Sequence, residues 1–473
     1  MNKTVTQTYK QLFARKYLWL FLGRIMPLLS LFFITIIYSR QLSYEDYGTF
    51  QSVWMYANIV NVIISFGFSS VIFSTNLSFL FLFIKNNRRI ITSFYMVLSI
   101  SGLIAFFFLS KNFTANVKIW LIAFIIIQNI ITIAETLLIK RKKEKISFVI
   151  NIFYALLFFG CHLFILSHYS LSNLIISLCV LSILKLFAIA TVPAQNESYE
   201  PIADEKHFLK HWGYLGLNEI LGVTSKWIDK VFLLYLLTAS DFAVFFNGSF
   251  EIPLFGLLIS VAGSFMLIEF SENIQLKNKI IALFNESFSL LSSIVFPLFF
   301  FLFFFREEIF AFVFKNKYHD SVPIFAIGIF ILPLRINNFS VILQCFSQGK
   351  KVMLGSLIDI IIAIVLMIIL YPFMGMKGIV LSIVISTYCQ VLYYLWHSAK
   401  ILHVTIWKLV PLQKLLLKFL ILLALYFIIF LLLAHFSIII KIIVGVLFTS
   451  LLIVAGLWSY LKTFFKKDYG KDG

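Results

Sequence analysis

The sequence predicts an all-α polytopic membrane protein. Of its 473 residues, 61% are hydrophobic and 13% are charged, whereas a soluble domain is typically about half apolar and a quarter charged. Apolar runs of roughly 20 residues, the length that crosses a bilayer as a helix, recur along the chain between short charged loops. So apolar a chain cannot hide its excess in a water-soluble core.

These runs predict about fourteen transmembrane helices, with ends uncertain by a few residues. They lie near residues 17–38, 50–73, 90–110, 118–139, 147–168, 171–192, 213–237, 242–268, 284–305, 321–346, 352–371, 376–396, 414–434 and 438–461. The first run is too long for a signal-peptide core and no small-residue cleavage site follows it, so we expect it to be retained.

The formal net charge of +18 raises the question of a nucleic-acid partner. With the N-terminus inside, however, most Lys and Arg residues fall in the predicted cytoplasmic loops and tails, as in the stretch RKKEK at 141–145. This asymmetry predicts that both termini lie in the cytoplasm. Topology and contact with membrane lipids account for the charge, and no nucleic-acid partner is expected.

The layout argues against an enzyme. The longest hydrophilic connection, 193–212, is too short for a catalytic domain, and the sequence contains no phosphate-binding glycine loop, HExxH or GxSxG. The four cysteines have no CxxC spacing, so neither a metal nor another cofactor is expected. A membrane-embedded polysaccharide polymerase stays open, but its usual large outside loop is missing here. Transport is the leading class.

The chain also carries signs of an internal duplication. The connection at 193–212 divides the first twelve spans into two sets of six, and residues 40–72 align with 235–267. We therefore predict an N-terminal six-helix bundle (1–192), a cytoplasmic linker (193–212), a second six-helix bundle (213–396), and two further helices with a basic tail (397–473). The same shift sets Arg24 opposite Glu219.

Two segments carry a family resemblance. GRIMPLLSLFFITIIYSRQLSYEDYGTF (23–50), followed by a span ending in SFGFSSVIF, and WIDKVFLLYLLTASDFAVFFNGSF (227–250) resemble the polysaccharide repeat-unit flippases of O-antigen, capsule and exopolysaccharide synthesis. These flippases belong to the multidrug/oligosaccharidyl-lipid/polysaccharide exporter (MOP) superfamily. Ala243 stands where the family usually has glycine.

The resemblance implies two pseudo-symmetric six-helix bundles in a V, two additional C-terminal helices, and alternating access. It implies an undecaprenyl-pyrophosphate-linked oligosaccharide as cargo. The implied partners are membrane lipids, a polysaccharide polymerase and a chain-length protein.

The predicted helix 213–237 carries four charges, each of which costs about 2.5–3.5 kcal/mol at mid-membrane on insertion scales. At 100° per residue Glu219, Lys226 and Lys230 share one face, with Asp229 beside it. Lys226 can pair with Asp229 at i+3. Such a polar stripe is typical of a helix that lines a cavity.

The other deep polar residues divide by the role their chemistry suits. Cations replace water around a pyrophosphate, arginine in bidentate contact and lysine as a point charge, and the candidates are Arg24, Lys226, Lys230 and Arg335. Polar cavity candidates for sugar hydroxyls are Asn58, Asn61, Asn247 and Asn338. Carboxylates in a dry, gated cavity can carry an ion through a cycle, and the candidates are Glu219, Glu251, Asp359 and, less suited because of its lysines, Asp229.

Some of these charges have a purely structural alternative, namely ion pairs that hold helices together. Arg335 follows Pro333 at mid-span, where we expect a kink with freed carbonyl groups. Lys185 lies nearer a cytoplasmic helix end, and snorkelling to the interface is the expectation there.

Three functions compete with the flippase. A multidrug cation antiporter of the same superfamily is one, and the balance of deep positive and negative charges does not decide between it and the flippase. A lipid II flippase is close in chemistry, and the polymerase is the enzyme alternative. The two extra C-terminal spans and the N-terminal pattern favour the polysaccharide flippase. Coupling to H⁺ or Na⁺ is left open.

Overall fold

In the computed structural model the described residues are 23, 25–74, 77–110, 113–141, 143–193, 205–234, 236–249, 256, 263, 266, 270, 275–315, 317–346 and 348–469. They form helices and connections, with no strand among them. Ten helices in this part of the chain are long and apolar enough to cross a membrane. The predicted all-α polytopic class is confirmed.

The helices are numbered here in chain order. They are α1 Ile25–Gln41, α2 Tyr44–Ser65, α3 Phe68–Ser74, α4 Leu77–Asn86, α5 Arg88–Leu109, α6 Ala115–Lys140, α7 Glu144–Leu166, α8 Leu171–Ala190, α9 Glu205–Leu234, α10 Ala239–Gly248, α11 Lys277–Phe304, α12 Arg306–Phe314, α13 Val322–Gly328, α14 Val341–Cys345, α15 Gly349–Met374, α16 Met376–Leu402, α17 Ile406–Leu409, α18 Leu412–Leu432 and α19 Ile438–Tyr469. Short 3₁₀ turns span His319–Ser321 and Ile329–Ile336.

The chain divides into two compact units. The first takes in the described residues up to Trp227 together with Thr238–Ser240, and the second takes in Ile228–Leu237 and the described residues from Asp241 onward. The boundary therefore falls within α9.

The first unit shows that the predicted span 50–73 is broken. Phe66 and Gly67 both have positive φ angles, 39° and 70°, and they separate α2 from α3. Beyond the break, Phe68, Val71 and Ile72 of α3 pack with apolar residues of α4 and α9 in a buried cluster. The bend brings α3 against α9, which a single straight helix would not do.

The second unit is built around the hairpin of α15 and α16. Gly375 alone joins them, with φ 57° and ψ −137°, a conformation that a residue with a Cβ rarely adopts. A Cβ on Gly378 would lie 2.6 Å from the carbonyl oxygen of Leu370, so the two helices start in close contact. Ala363, Met367, Ile379 and Val380 of this hairpin share a buried cluster with Leu233 and Phe245.

The predicted tenth span, 321–346, is also interrupted. After α13 the chain tightens into the 3₁₀ turn Ile329–Ile336, which contains Pro333, and Asn337 is extended. A side chain satisfies part of the opened backbone, because Asn337 Oδ1 accepts from Asn338 N–H at 2.9 Å. Asn337 Nδ2 also donates to Phe284 O of α11 at 3.2 Å, which holds the segment against that helix. The interruption expected near Pro333 is confirmed. Non-helical backbone in a membrane is stable only when protein groups satisfy it, which is the role of these hydrogen bonds.

The two C-terminal helices, α18 and α19, both pack on α11. The Lys418 ammonium in α18 donates to Ser289 O at 3.3 Å, Ser292 Oγ at 3.0 Å and Ser293 Oγ at 2.7 Å. A Cβ on Gly456 of α19 would lie 2.9 Å from Ser293 Cβ, so α19 also approaches α11 closely. One lysine thus binds three neutral acceptors and fixes α18 on α11.

We expect that removing the serine hydroxyls that bind Lys418 lowers the stability of the protein more than removing the lysine itself. The double substitution Ser292→Ala and Ser293→Ala leaves a cation short of partners, and it should lower the free energy of unfolding by about 2 kcal/mol. Lys418→Met removes the charge and keeps an apolar chain, so its effect should stay below about 1 kcal/mol. Thermal unfolding in detergent measures both, and a larger loss in Lys418→Met than in the serine pair would contradict the argument.

Candidate functional site

The helix α9 carries the polar stripe that the sequence predicted. It is continuous from Glu205 to Leu234 and therefore includes most of the predicted span 213–237. Lys226 is exposed, Glu219 and Lys230 are partly buried, and Asp229 is buried. The stripe is thus most open at Lys226 and most enclosed at Asp229.

The first unit positions the early part of α9 by a close helix contact. The Trp212 indole N–H donates to Phe66 O at 3.0 Å, at the break between α2 and α3. A Cβ on Gly216 would lie 2.5 Å from the Phe66 ring, and one on Gly67 would lie 2.7 Å from Gly216 N. The break and Gly216 therefore fit each other, with glycine required on both sides.

This contact places Glu219 next to α3. Ser70 Oγ–H donates to Glu219 Oε1, and the Glu219 side chain is partly buried there. The carboxylate is thus held by a neutral hydroxyl of its own unit. Ser70 is a residue that the sequence did not single out, since only the fold brings it to Glu219.

Gly216→Ala is expected to destabilise the protein by about 1–3 kcal/mol, because the added methyl group overlaps the Phe66 ring. Gly222→Ala is the matched control in the same helix, since no described residue lies within 4 Å of its Cβ position. Alanine favours a helix, so the control should be neutral or slightly stabilising. Melting temperatures of the two purified variants test this, and equal values would count against a tight α3–α9 contact.

Lys226 is the exposed cation of the stripe. Its ammonium lies 5.4 Å from the centroid of the Trp227 ring, a cation–π distance. Trp227 itself is buried. An exposed ammonium beside a buried aromatic ring is in a position to receive an anionic group.

Asp229 and Lys230 form a direct ion pair. The Lys230 ammonium lies 3.0 Å from Asp229 Oδ2, and the Lys230 backbone N–H donates to Asp229 Oδ1 at 2.8 Å. The sequence suggested Lys226 as the partner at i+3, whereas the ion pair that forms is with the adjacent lysine. The hydrogen bond from the Lys230 backbone N–H turns the Asp229 carboxylate toward Lys230, although adjacent side chains of a helix do not ordinarily face each other.

Arg335 lies at the end of the 3₁₀ turn Ile329–Ile336, partly exposed and just before the extended Asn337. The following residue with a predicted role, Asn338, accepts at Oδ1 from Ser340 Oγ–H at 2.9 Å. Its amide therefore stabilises the break in the tenth span. The guanidinium is carried by a segment with irregular backbone, which membrane transporters tolerate next to a cavity or inside protein.

Asp359 is buried in α15 and held from α16. It is 6% exposed, and the buried Ser386 donates to Asp359 Oδ1 at 2.7 Å. Phe232, three residues after Asp229, contacts Tyr371 with ring centroids 6.3 Å apart. Because Tyr371 lies roughly 18 Å along α15 from Asp359, Asp229 and Asp359 lie at different depths and do not share one site.

The remaining predicted polar residues have mixed surroundings. Asn58 is exposed and donates to Trp54 O of its own helix at 2.7 Å. Asn61 Oδ1 accepts from Asn129 Nδ2 at 3.0 Å, which fastens α2 to α6. Asn247 is 1% exposed near the end of α10. Arg24 and Glu251 lie outside the described residues.

A buried ion pair in the first unit corrects the expectation for Lys185. Its ammonium lies 2.9 Å from Glu135 Oε1 and 4.4 Å from the centroid of the Tyr154 ring, and its side chain is 8% exposed. Gln128 Nε2 donates to Ser182 Oγ at 2.8 Å close by. Lys185 therefore does not snorkel. The two charges lie on different helices, so the sequence could not show that they meet.

Comparison with solved structures supports the all-α polytopic membrane fold. The fold matches the lipid II flippase MurJ in its inward closed conformation, with a TM-score of 0.68 and 18% identity over 95% of this chain and 100% of that chain. It also matches an inward-facing multidrug resistance MATE family transporter of the MOP superfamily (TM-score 0.54, 12% identity, 81% of this chain and 98% of that chain).

A third structural match is a MOP superfamily transporter from Pyrococcus furiosus described as having a binding pocket of reverse polarity. Its TM-score is 0.52 and its identity 15%, over 83% of this chain and 96% of that chain. No curated protein matches the sequence significantly. The fold and its polar helix stripe thus define a multi-pass membrane protein with the fold of the MOP-superfamily transporters.

Residues 37–323, more than half of the chain, match the polysaccharide biosynthesis protein family. The chain belongs to that family, and the resemblance found in its sequence is confirmed.

Proposed function

We propose that the protein is a flippase that moves undecaprenyl-pyrophosphate-linked oligosaccharide repeat units across the bacterial cytoplasmic membrane. The observation that carries the proposal is the conjunction of a polysaccharide biosynthesis sequence with a lipid flippase fold. Neither alone is enough, because the fold is shared with drug exporters and the family name covers a whole pathway. Together they favour a step that moves a lipid-linked sugar. The protein binds and moves its substrate without chemical conversion.

Cationic side chains bind the pyrophosphate head group of the substrate. Lys226 is the best placed of them, because it is exposed beside Trp227. Arg335 is partly exposed at a break in its span and suits bidentate contact with phosphate. Lys230 is already paired with Asp229, which partly neutralises its charge, so its role in binding the head group is secondary. Arg24 stays in the proposal on the sequence pattern alone. Asn58, on an exposed position, is the best of the amide candidates for sugar hydroxyls.

Ion coupling is assigned to Asp359. Its side chain is buried, and Ser386 of the neighbouring helix donates a hydrogen bond to Asp359 Oδ1. An ion binding there would therefore act on the packing of α15 against α16. Glu219, which is hydrogen-bonded to Ser70, is the counterpart in the first unit. Asp229 is the weaker candidate because Lys230 pairs with it. Glu251 keeps its place from the sequence, and the ion is H⁺ or Na⁺.

The domain plan and orientation complete the proposal. Residues 1–192 and 213–396 form the two bundles that alternate access, 193–212 link them in the cytoplasm, and 397–473 add two helices and a basic tail. Both termini lie in the cytoplasm, where the lipid-linked oligosaccharide is loaded. A polymerase and a chain-length protein act on the exported units.

Gene deletion followed by analysis of lipid-linked intermediates separates the candidates. We expect repeat units to accumulate on the cytoplasmic leaflet and surface polysaccharide to be lost. Normal polysaccharide with greater sensitivity to cationic dyes would instead favour a multidrug antiporter. Loss of cell-wall precursors from the outer leaflet would favour lipid II as the cargo, the candidate supported by the similarity to MurJ. Exported but unpolymerised repeat units would favour the polymerase.

A further inference from the structure

A basic and aromatic cluster lies at the C-terminal end of α16. It consists of Tyr393, Trp396, His397 and Lys400 of α16 with Lys351 from the first turn of α15, and it is called the His397 cluster below. The His397 ring lies 4.5 Å from Tyr393 and 4.6 Å from Trp396, between ring centroids. The Lys400 ammonium lies 3.5 Å from the centroid of the Trp396 ring.

The charges around His397 are of one sign. Lys351 and Lys400 both act electrostatically on its ring. In addition, His397 Nδ1 is buried and has no hydrogen-bond partner within the described part of the chain. Two cations beside one imidazole form a site that an anion with several acceptor oxygens would complete.

The site is fixed by the packing of α15 on α16. The Tyr394 hydroxyl donates to Val352 O at 2.9 Å, one residue after Lys351. A Cβ on Gly355 would lie 2.2 Å from the Tyr394 ring, so the helices touch there. Lys351 is therefore held beside His397 by the backbone of its own helix, and the cluster is a preformed feature of the second unit.

The surface next to the cluster indicates the kind of anion. Ile385, Tyr388, Leu392 and Trp396 repeat at helical spacing along α16 and are 37%, 37%, 58% and 46% exposed. They form an apolar stripe that leads from the cluster along a membrane-spanning helix. Trp and Tyr favour the level of the head groups, and lysines near that level attract anionic lipids. A charged head at His397 with a hydrocarbon chain along the stripe fits both features.

We propose that the His397 cluster binds the phosphate group of an anionic lipid. Its oxygens accept hydrogen bonds from Lys351 and Lys400 beside the His397 ring, while its chain lies along the stripe from Trp396 to Ile385. The phosphate belongs either to a phospholipid head group or to an undecaprenyl pyrophosphate. The second source rests on the proposed function and makes the cluster a docking place for substrate before transport.

Native mass spectrometry of the purified full-length protein tests the site, with phosphatidylglycerol, undecaprenyl pyrophosphate and phosphatidylcholine as probes. We expect both anionic lipids to bind more tightly than phosphatidylcholine. The variant Lys351→Ala/Lys400→Ala should lose about tenfold of that preference. Lys377→Ala removes an exposed lysine at the opposite end of α16 and should lose none. The exposed single variant Lys400→Gln replaces the double variant if the latter does not fold.

The outcomes separate the sources. If the wild-type protein binds phosphatidylglycerol but not undecaprenyl pyrophosphate, a phospholipid site is supported. If it binds undecaprenyl pyrophosphate more tightly, a substrate site is supported. Equal binding in the double variant and wild type, or equal loss in Lys377→Ala, would overturn the proposal. So would displacement of the lipid by free inorganic pyrophosphate at the same concentration, because the site would then not require a lipid. If wild-type protein binds these lipids but moves none of them across a bilayer, the proposed function fails and the lipid site stands.

Discussion

Replacing Asp359 by asparagine should lower export of the lipid-linked oligosaccharide by about tenfold or more, a typical size for coupling between two sites. Asparagine keeps the shape of the side chain and an oxygen that can accept from Ser386 Oγ–H, which lies 2.7 Å from Asp359 Oδ1. It cannot hold a proton or balance a cation. The helix packing should therefore persist while ion coupling is lost.

The measurement is surface polysaccharide in cells that carry the variant as their only copy, together with its membrane abundance. Ser386→Ala is the matched control, since it removes the hydrogen bond and keeps the carboxylate, and we expect it to retain most of the activity. Full export by Asp359→Asn at normal abundance would exclude Asp359 from coupling and leave Glu219 as the first alternative.

Lys226→Ala should abolish export without changing the amount of protein in the membrane. A charge-assisted hydrogen bond contributes about 1.5–3 kcal/mol, so losing one from the head group lowers its binding by about one to two powers of ten. Because Lys226 is exposed, its removal opens no cavity in the packed interior and the fold should not suffer. Lys226→Arg keeps the charge and should retain part of the activity.

Lys210→Ala is the matched control, an exposed lysine in the first part of the same helix. It should export normally. Arg335→Ala, tested alongside, should resemble Lys226→Ala because it also removes a partly exposed cation. If Lys226→Ala and Arg335→Ala both export at the wild-type rate, the assignment of the head group to these cations is wrong.

The sequence predicted the helical class well because a bilayer imposes a length and a composition on every span. The α9 stripe also followed from sequence, since the angle between residues in a helix is constant. Interruptions were harder to predict. Pro333 signalled the break in the tenth span, but the break at Phe66 and Gly67 lies within an apolar run, and a Phe with positive φ has no local signal.

Contacts between helices could not be predicted from sequence. Lys185 was predicted to snorkel because its partner Glu135 lies 50 positions away in another helix. Only folding brings Lys185 Nζ to 2.9 Å from Glu135 Oε1. Ser70 for Glu219 and Ser386 for Asp359 were missed for the same reason, since serine is common in membrane helices. The contact of Lys418 has no signal in the sequence, because its partners are neutral serines of α11 and not opposite charges.

The most direct test of the central claim is a flipping assay with purified protein in liposomes that contain a lipid-linked oligosaccharide. A lectin or a glycosidase added outside reports how much sugar has reached the outer leaflet. The account predicts transfer that is faster than in protein-free liposomes, depends on an H⁺ or Na⁺ gradient, and is lost in Lys226→Ala and Asp359→Asn. Transfer no faster than in protein-free liposomes, with folded wild-type protein present and a gradient applied, would contradict it.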